Sequence, residues 1–158
     1  MSSKFDSIDR HILQLMQADA SLSNLQIAEK VGLTPPPCWR RIKRLEDAGI
    51  IDRKVTILNA KALGLNVTIY ATVKLSAHAR KTVNEFRKRI SSYPEVMECY
   101  VLMGAVDVLL RIVTVSVEAY ESFFNQHLSQ LPGVQEVNSS VVMTKIKQTT
   151  QLPLHLIE

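Results

Sequence analysis

Several features that identify particular classes of protein are scarce or missing in this sequence of 158 residues. It has only two cysteines, Cys38 and Cys99, with no CxxC pair and no neighbouring histidine pair, which argues against a disulfide framework and a zinc site. Each cysteine is expected to be a small buried side chain. No apolar run approaches the ~18 residues that a membrane span needs, and the first residues lack the apolar stretch of a secretory signal. We therefore expect a cytosolic protein with no membrane partner.

The usual signatures of catalysis are also missing. The four histidines at positions 11, 78, 127 and 155 share no metal-ligand spacing, and no motif places a pair of carboxylates. There is no G-x-S-x-G and no glycine loop of the kind that holds phosphates. The sequence therefore predicts no catalytic residue, no metal site and no cofactor.

What is present is an ordinary globular composition. The chain is 46% hydrophobic and 22% charged, and at this length roughly 70% of the extended surface is buried on folding, which is enough for one ordinary core or two small ones. The net charge of +4 is compatible with a nucleic-acid partner but too mild to establish one. Whether the chain binds nucleic acid has to be judged from where these charges lie along the sequence.

Three short helices are predicted in the first third of the chain. Apolar residues recur at helical spacing up to Met16 behind Asp6 and Ser7, either of which can cap the first helix. Ser23 and Gln26 form a capping box that opens a second helix, which Gly32 closes. Thr34 is expected to cap a third helix, because the prolines at 35–37 suit a first turn whose amides have no intrahelical partner. This helix runs to about residue 48.

The third predicted helix is strongly amphipathic. A helical wheel places Cys38, Ile42 and Leu45 on one face and a mostly basic set on the other. Between residues 34 and 54, six Lys and Arg stand against three Asp and Glu, so most of the net charge of the chain lies here. Residues 53–58 alternate weakly and are interpreted as a strand, or β-wing, that follows the helix.

The second half of the chain has a different pattern. After a linker at 59–66, strict alternation from 67 to 75 predicts a strand with one buried face. An amphipathic helix around Phe86, two strands at 96–103 and 108–115, a helix capped by Ser116 and a last strand at 134–147 follow. The order βαββαβ predicts a ferredoxin-like sheet. The fold class is thus α+β, with an N-terminal winged helix-turn-helix at 1–58 and a ferredoxin-like domain at 67–158.

The N-terminal half favours binding to double-stranded DNA. A helix fits the major groove, and Arg or Lys on its outer face can reach guanine edges or phosphates. A solvated helix face is the simpler alternative for a charge run alone, but the capping box, the turn and the concentrated charge together favour groove binding. Trp39 either packs against the preceding helices, which is the role expected of it, or covers a sugar-phosphate. The predicted DNA-contacting residues are Ser23, Asn24, Thr34, Pro36, Trp39, Arg40, Arg41, Lys43 and Arg44.

Several stretches of the chain resemble the leucine-responsive regulatory protein/AsnC family, also called feast/famine regulators. The matching segments are residues 8–13, 31–46, 49–51, 104–107 and 131–134, so the resemblance covers nearly the full chain. It implies an N-terminal DNA-binding domain, a C-terminal sensing domain that dimerises, assembly of dimers into octamers or similar rings, and regulation by amino acids.

The resemblance also implies that an effector binds between dimers near a G-x-x-D hairpin, which here is 104–107. A glycine allows close approach of a ligand, free amides can bind a carboxylate, and an aspartate can pair with an α-ammonium. From these four residues alone a plain turn would be favoured. Many relatives have a polar and an aromatic residue inside this motif, and the Ala105-Val106 of this chain suits an aliphatic effector such as leucine or methionine. The predicted effector-binding residues are Tyr100, Leu102, Gly104, Ala105, Val106 and Asp107, with Asn138, Ser139 and Ser140 supplied by a neighbouring subunit.

Two other functions stay open at this stage. One is an architectural protein that compacts DNA without an effector, and the other is a small enzyme, because ferredoxin-like domains also occur in catalysts. The function predicted from the sequence is an amino-acid-responsive, DNA-binding transcriptional regulator.

Overall fold

A computed structural model describes residues 6–76 and 83–157, and these residues form two compact units. The first unit is Met1–Ile57 together with Lys147–Glu158, and the second is Leu58–Ile146. The end of the chain thus differs from the expectation that the second domain extends to 158. The reason is that Leu154 is buried in the core of the first unit.

The first unit is built on three helices: α1 (Ser7–Ala18), α2 (Asn24–Lys30) and α3 (Pro35–Asp47). Asp6 caps α1 and Ser23 caps α2, and both caps are complete capping boxes. A 3₁₀ turn at Leu154–Leu156 packs with these helices. The buried core side chains are Ile12, Leu13, Ile27, Ala28, Cys38, Ile42, Leu45 and Leu154.

Thr34 is the residue that precedes α3, but its side chain makes no capping hydrogen bond. A capping hydroxyl accepts from the amide of the second or third helical residue. Those residues are Pro36 and Pro37, which have no N–H. Thr34 therefore contributes its carbonyl, which accepts from the amide of Cys38 at 3.3 Å, and its hydroxyl stays exposed.

The strand predicted at 53–58 is not formed in this chain, where residues 52–59 contain neither helix nor strand. Val55, Ile57 and Leu58 are all exposed. A strand needs a partner for its backbone hydrogen bonds, and the described residues of this chain supply none here. The prediction of a strand from this weak alternation is therefore wrong for this chain.

The second unit confirms the βαββαβ order. Its elements are β1 (Val67–Leu75), α4 (Val83–Ile90), β2 (Val96–Val101), β3 (Val108–Thr114), α5 (Val117–Gln126) and β4 (Val134–Val141). The strands form one antiparallel sheet in the order β2-β3-β1-β4. Ser116 caps α5 by accepting from the amide of Ala119, as predicted.

Two strands end earlier than their alternation predicts. β4 ends at Val141, because its partner β1 begins at Val67 and the ladder closes with the amide of Val142 donating to Thr68. β2 ends at Val101, because the chain then turns toward β3. Pairing length is set by the neighbouring strand and not by the apolar pattern of one segment.

The sheet has one covered face and one open face. Ile69, Ala71 and Val73 of β1 point toward the helices and are buried with the inward residues of β3. On the other face Tyr70 is exposed, as are Tyr100 of β2 and Ser140 of β4. Cys99 of β2 is exposed and not buried as expected, because β2 is an edge strand, whereas Cys38 is buried as expected.

Candidate nucleic-acid interface and ligand hairpin

The outer face of α3 is exposed along its length. Arg40, Lys43 and Arg44 are exposed there, while Cys38, Ile42 and Leu45 anchor the opposite face in the core. Pro36 lies at the exposed start of the helix. The helix is therefore held by its apolar side and presents cations to solvent, which is the arrangement that the wheel predicts.

The four cations of α3 differ in their partners. Arg41 bonds to two carboxylates, Asp6 at 2.7 Å and Asp9 at 2.8 Å. Arg44 also pairs with Asp9, and Lys43 pairs with Asp47 one turn along the helix at 2.9 Å. Within the described part of the chain, no carboxylate lies within ion-pair distance of Arg40.

These pairings change the role expected of Arg41. Its side chain is only 26% exposed and links α3 to the start of α1, so Arg41 has a structural role, and its contact with DNA stays a prediction. The two carboxylates raise the pKa of Arg41, and the amide of Asp9 together with Arg41 lowers the pKa of Asp6. The Nη1 atom of Arg41 is thus engaged by both carboxylates within the protein.

Asp9 is the residue that sequence reasoning missed. Its carboxylate is buried, with 1% of the side chain exposed, and it accepts from Arg41, Arg44 and the amide of Asp6. One signal could have found it: an acid at this position lies within one turn of Ile12 and Leu13, on the buried side of α1. A buried carboxylate requires paired cations, and α3 carries the nearest candidates in the fold.

The start of α2 is close to the start of α3. The side-chain amide of Asn24 donates to the carbonyl of Pro35 at 3.0 Å, so Asn24 joins the two helices and is half-buried. Ser23 is exposed but is engaged in the capping box with Gln26. Both residues lie beside the cationic face, with their side chains in structural hydrogen bonds.

Trp39 does not pack against the preceding helices. Its side chain is 57% exposed, next to Arg40 at the exposed side of α3. The expected packing role is corrected, because the neighbouring buried positions are filled by Cys38 and Ile42. An exposed indole beside cations can cover a sugar or stack on a base edge.

The hairpin between β2 and β3 is tied to the end of β1. The amide of Leu102 donates to the carbonyl of Asp107 at 2.8 Å, and the amide of Asp107 donates to Val73 at 3.0 Å. One carboxylate oxygen of Asp107 accepts from the amide of Leu75 at 2.7 Å. Asp107 therefore has a structural role in this chain, and among residues 6–76 and 83–157 its carboxylate has only the Leu75 amide as a hydrogen-bond donor.

The rest of the hairpin is open. Leu102, Gly104 and Ala105 are exposed, and Val106 is half-buried. Gly104 has a φ of +156°, which a side chain disfavours, and a Cβ there would meet nothing within 4 Å in this chain. The hairpin thus offers backbone and small apolar groups to whatever approaches from outside.

The predicted β4 residues do not share one face of the sheet. Ser139 points to the helices, and its hydroxyl forms a hydrogen bond with the hydroxyl of Tyr120. Burial raises the pKa of Tyr120. Asn138 and Ser140 lie on the open face, opposite Thr72 and Tyr70 of β1. Ser139 therefore has a structural hydrogen bond within the chain, and its contact with a ligand stays a prediction.

The hairpin and β4 are also far apart within one chain. β2 and β4 are the two edges of the sheet, separated by β3 and β1. The β3 end of the hairpin lies two strand spacings, about 10 Å, from β4. Along β1, Asn138 and Ser140 pair with Thr72 and Tyr70, whereas Asp107 is held by Val73 and Leu75. One chain accordingly does not bring the two predicted halves of the ligand site together.

Two further observations concern other kinds of site. Among the residues at 6–76 and 83–157, no three His, Cys, Asp or Glu side chains are grouped so that they could hold a metal ion. Over the same residues, every helix is too short or too polar to span a bilayer.

Comparison with known proteins matches both halves of the chain. Residues 5–52 match the family described as winged helix-turn-helix DNA-binding, and residues 68–152 match the Lrp/AsnC ligand binding domain. The transcriptional regulator AzlB of Bacillus subtilis is 40% identical over 98% of this chain and 98% of that protein. The leucine-responsive regulatory protein of Escherichia coli is 33% identical over 93% of this chain and 90% of that protein.

Solved structures give the same result. A transcriptional regulator of Neisseria meningitidis, in complex with L-methionine, superposes with a TM-score of 0.93 at 35% identity, covering 98% of this chain and 100% of that one. An AsnC family transcriptional regulator from Agrobacterium tumefaciens superposes with a TM-score of 0.90 at 36% identity, covering 96% and 98%.

Proposed function

Because this chain belongs to the Lrp/AsnC family of transcriptional regulators, we propose that α3 contacts double-stranded DNA and that the 102–107 hairpin binds an amino-acid effector. The chain is a DNA-binding, amino-acid-responsive regulator and not an enzyme. The proposal concerns which residues carry the two activities, which effector is bound and how the chains assemble.

The exposed cations of α3 carry the first part of the proposal. Arg40 has no carboxylate partner among the described residues, so its charge is fully available to a phosphate or a guanine edge. Lys43 has only an exposed partner, and such surface pairs are weak. Arg44 and Trp39 flank these cations on the same side of the helix.

Replacing Arg40 tests this interface. If Arg40 contacts a phosphate, Arg40→Ala flattens the slope of log K against log salt by about 0.9, and if it contacts a base, the specificity at one position relaxes. Lys88→Ala, which removes an exposed cation of α4, is the matched control and leaves the slope unchanged. Wild-type affinity and slope in Arg40→Ala would contradict the assignment.

The hairpin carries the second part of the proposal. Its backbone is open at Gly104, and Leu102, Ala105 and Val106 provide a small apolar surface beside the carboxylate of Asp107. We infer that the effector is an aliphatic amino acid, leucine or methionine. The L-methionine complex of the Neisseria meningitidis regulator supports this inference.

Assembly completes the proposed ligand site. Since β1 lies between Asp107 of the hairpin and the β4 residues Asn138 and Ser140 in one chain, these polar residues would come from another subunit. The open face with Tyr70 and Tyr100 provides a surface for a homodimer, and dimers would join into an octamer or similar ring. Effector bound between dimers would favour one assembly over another and so change the spacing of the α3 helices.

Asp107 allows a sharp test of the effector site. Asp107→Asn keeps an oxygen that can accept from the Leu75 amide but removes the negative charge, whereas Asp107→Ala removes both. A charged hydrogen bond is worth about 1.5–3 kcal/mol, so Asp107→Asn lowers leucine or methionine affinity about tenfold or more in calorimetric titration. Glu121→Gln, on the exposed surface of α5, is the control.

The outcomes separate the alternatives. Undiminished affinity in Asp107→Asn would move the effector site elsewhere on the chain. If calorimetric titration of the wild-type protein detects no binding of any amino acid tested, the result would favour the architectural, DNA-compacting role. DNA affinity without effector is unchanged in Asp107→Asn, because Arg40 and Arg44 lie in the other unit.

A further inference from the structure

We propose that the buried Asp9 is a positioning residue for DNA recognition, which acts by holding the guanidinium of Arg44 in one orientation. Asp9 itself lies beneath the surface and touches no DNA. The proposal rests on the proposed function only in taking α3 as the DNA-contacting helix.

The geometry of Arg44 is the first support. Its Nη2 atom donates to the Asp9 carboxylate, yet 57% of the side chain is exposed. A guanidinium has five N–H donors in a fixed fork. With one end bonded to a carboxylate that is only 1% exposed, other donors remain free and face solvent in a restricted orientation.

The charges of the cluster are the second support. Asp6 and Asp9 carry two negative charges, and Arg41 and Arg44 carry two positive ones, all within direct bonding distance. The group is therefore neutral overall. What Arg44 brings to DNA is accordingly a preoriented set of donors, whereas Arg40 is the cation of this helix that has no carboxylate partner in the part of the chain that the structure describes.

Lys43 and Arg44 differ in how firmly their carboxylate partners are held. Lys43 is paired with Asp47, whose side chain is 63% exposed, so the ammonium is free to exchange its partner for a phosphate. The carboxylate of Asp9 is fixed by the amide of Asp6 and by Arg41, and it cannot follow a moving guanidinium. A fixed planar fork suits bidentate recognition of guanine, whereas a mobile ammonium suits a phosphate.

This arrangement predicts that Asp9 controls specificity more than affinity. In Asp9→Asn the cluster gains one positive charge and Arg44 loses its anchor. Binding to any duplex then depends more steeply on salt, by up to about 0.9 in the log–log slope. The preference for a selected sequence over a scrambled one falls about tenfold, because the fork is no longer preoriented.

The experiment uses the full-length protein and two duplexes. One duplex is selected from a random library for tightest binding, and the other is its scrambled version of equal length. Affinities over a salt series are measured for wild type, Asp9→Asn, Arg44→Ala and the double variant. Asp47→Asn is the control, because it adds the same charge to α3 without touching Arg44, and it strengthens binding to both duplexes alike.

The double variant identifies the route of the effect. If Asp9 acts through Arg44, Asp9→Asn lowers the preference for the selected duplex in the wild-type background but not in Arg44→Ala. An unchanged preference in Asp9→Asn, or an equal loss in both backgrounds, would overturn the proposal.

A second variant keeps the test decisive if Asp9→Asn fails to fold. Arg44→Lys changes an exposed side chain and keeps its charge, but it lacks the planar fork. We expect it to lose the preference about tenfold, and full retention would overturn the proposal. If Arg40→Ala and Arg44→Ala both bind DNA like wild type, the proposal that α3 contacts DNA is wrong. If Arg40→Ala binds more weakly but Arg44→Lys keeps the sequence preference, only the proposed role of Asp9 is wrong.

Discussion

The two units of this protein place their polar groups in opposite ways. The helical unit buries a carboxylate and pairs it with two arginines that reach its surface, so its interior and its cationic face are connected. The sheet unit packs apolar side chains against two helices and leaves the other face of the sheet open. One chain is thus sufficient to form the cationic face, whereas the residues proposed for the effector site lie apart, on the hairpin and on β4.

The difference also appears in the connections along the chain. The core of the helical unit is formed mainly by residues before position 46, but it includes Leu154 from the far end of the chain. The amide side chain of Gln17 donates to and accepts from the backbone of Leu152, at 3.0 and 2.9 Å. The sheet unit, in contrast, is one continuous segment. The helical unit therefore depends on residues that a boundary at 58 would remove.

The largest expected effect tests that dependence. Leu154 is 7% exposed, and Leu154→Ala should destabilise the helical unit by about 2–4 kcal/mol through lost burial and a residual cavity. Leu156→Ala, at a side chain of the same 3₁₀ turn that is 70% exposed, is the control and changes stability by less than about 0.5 kcal/mol. Thermal unfolding followed by circular dichroism measures both, and equal stability of the two variants would show that the last turn is not part of the core.

A second prediction separates two adjacent arginines of α3. Arg41→Ala leaves the buried Asp9 with one cation fewer and should cost about 1–3 kcal/mol of stability, although its effect on DNA contacts is indirect. Arg40→Ala should weaken DNA binding with stability unchanged. Chemical denaturation and an anisotropy titration of each variant give the two quantities. If Arg40→Ala proved to be the destabilising variant, the roles assigned to Arg40 and Arg41 would be contradicted.

A third prediction concerns two adjacent residues of β4. Ser139→Ala removes the hydroxyl that bonds to Tyr120 and should destabilise the sheet unit by about 0.5–1.5 kcal/mol. Asn138→Ala, on the open face, should leave stability nearly unchanged and lower effector affinity if a second subunit uses it. Unfolding curves and leucine or methionine titrations of both variants provide the check, and a reduced effector affinity confined to Ser139→Ala would reverse the assignment of the two faces.

The smallest expected effect is a pH dependence of the helical unit. The pKa of Asp6 lies below its ordinary value of 3.8, because its carboxylate accepts from the amide of Asp9 and from Arg41. A lowered pKa in the folded state contributes stability above the ordinary value, and that contribution is lost as the pH falls through 3.8 toward the folded pKa. The carboxylate is half exposed, so the effect is small.

Asp6→Asn tests the sign of this dependence. Above pH about 4 the variant should be less stable than wild type, and the difference should shrink as the pH falls below 3.8 and the wild-type carboxylate becomes protonated. Unfolding midpoints at several pH values measure the difference. A gap that widens on acidification would contradict the assigned cause.

Much of the fold was predictable because its signals are local. The caps at Asp6, Ser23 and Ser116 each act within three residues, and the alternation of 67–75 fixes which side chains of β1 face the helices. The missing cap bond of Thr34 could also have been foreseen, since two prolines remove the donors that a capping hydroxyl needs. Those features require no knowledge of distant residues.

The errors share a different property: each depended on a partner far away in the sequence. Cys99 is exposed because β2 is an edge strand, which depends on the order of all four strands in the sheet. The strand expected at 53–58 lacks a partner, since pairing requires a second strand and not only an extended segment. A local pattern specifies what a segment can do but not what lies beside it.

By itself, the sequence determined the order of the elements, the ends of most helices, the basic outer face of α3 and the position of the hairpin, because these follow from short-range spacing and backbone chemistry. Only the tertiary structure decided that Arg41 is engaged with Asp6 and Asp9 while the adjacent Arg40 is free of a partner among the described residues. It also decided that Asp107 holds the end of β1 and that the chain end joins the first core. Those outcomes depend on which groups meet across 30 or more residues, and folding brings them together to satisfy buried charges, backbone donors and apolar surface at once.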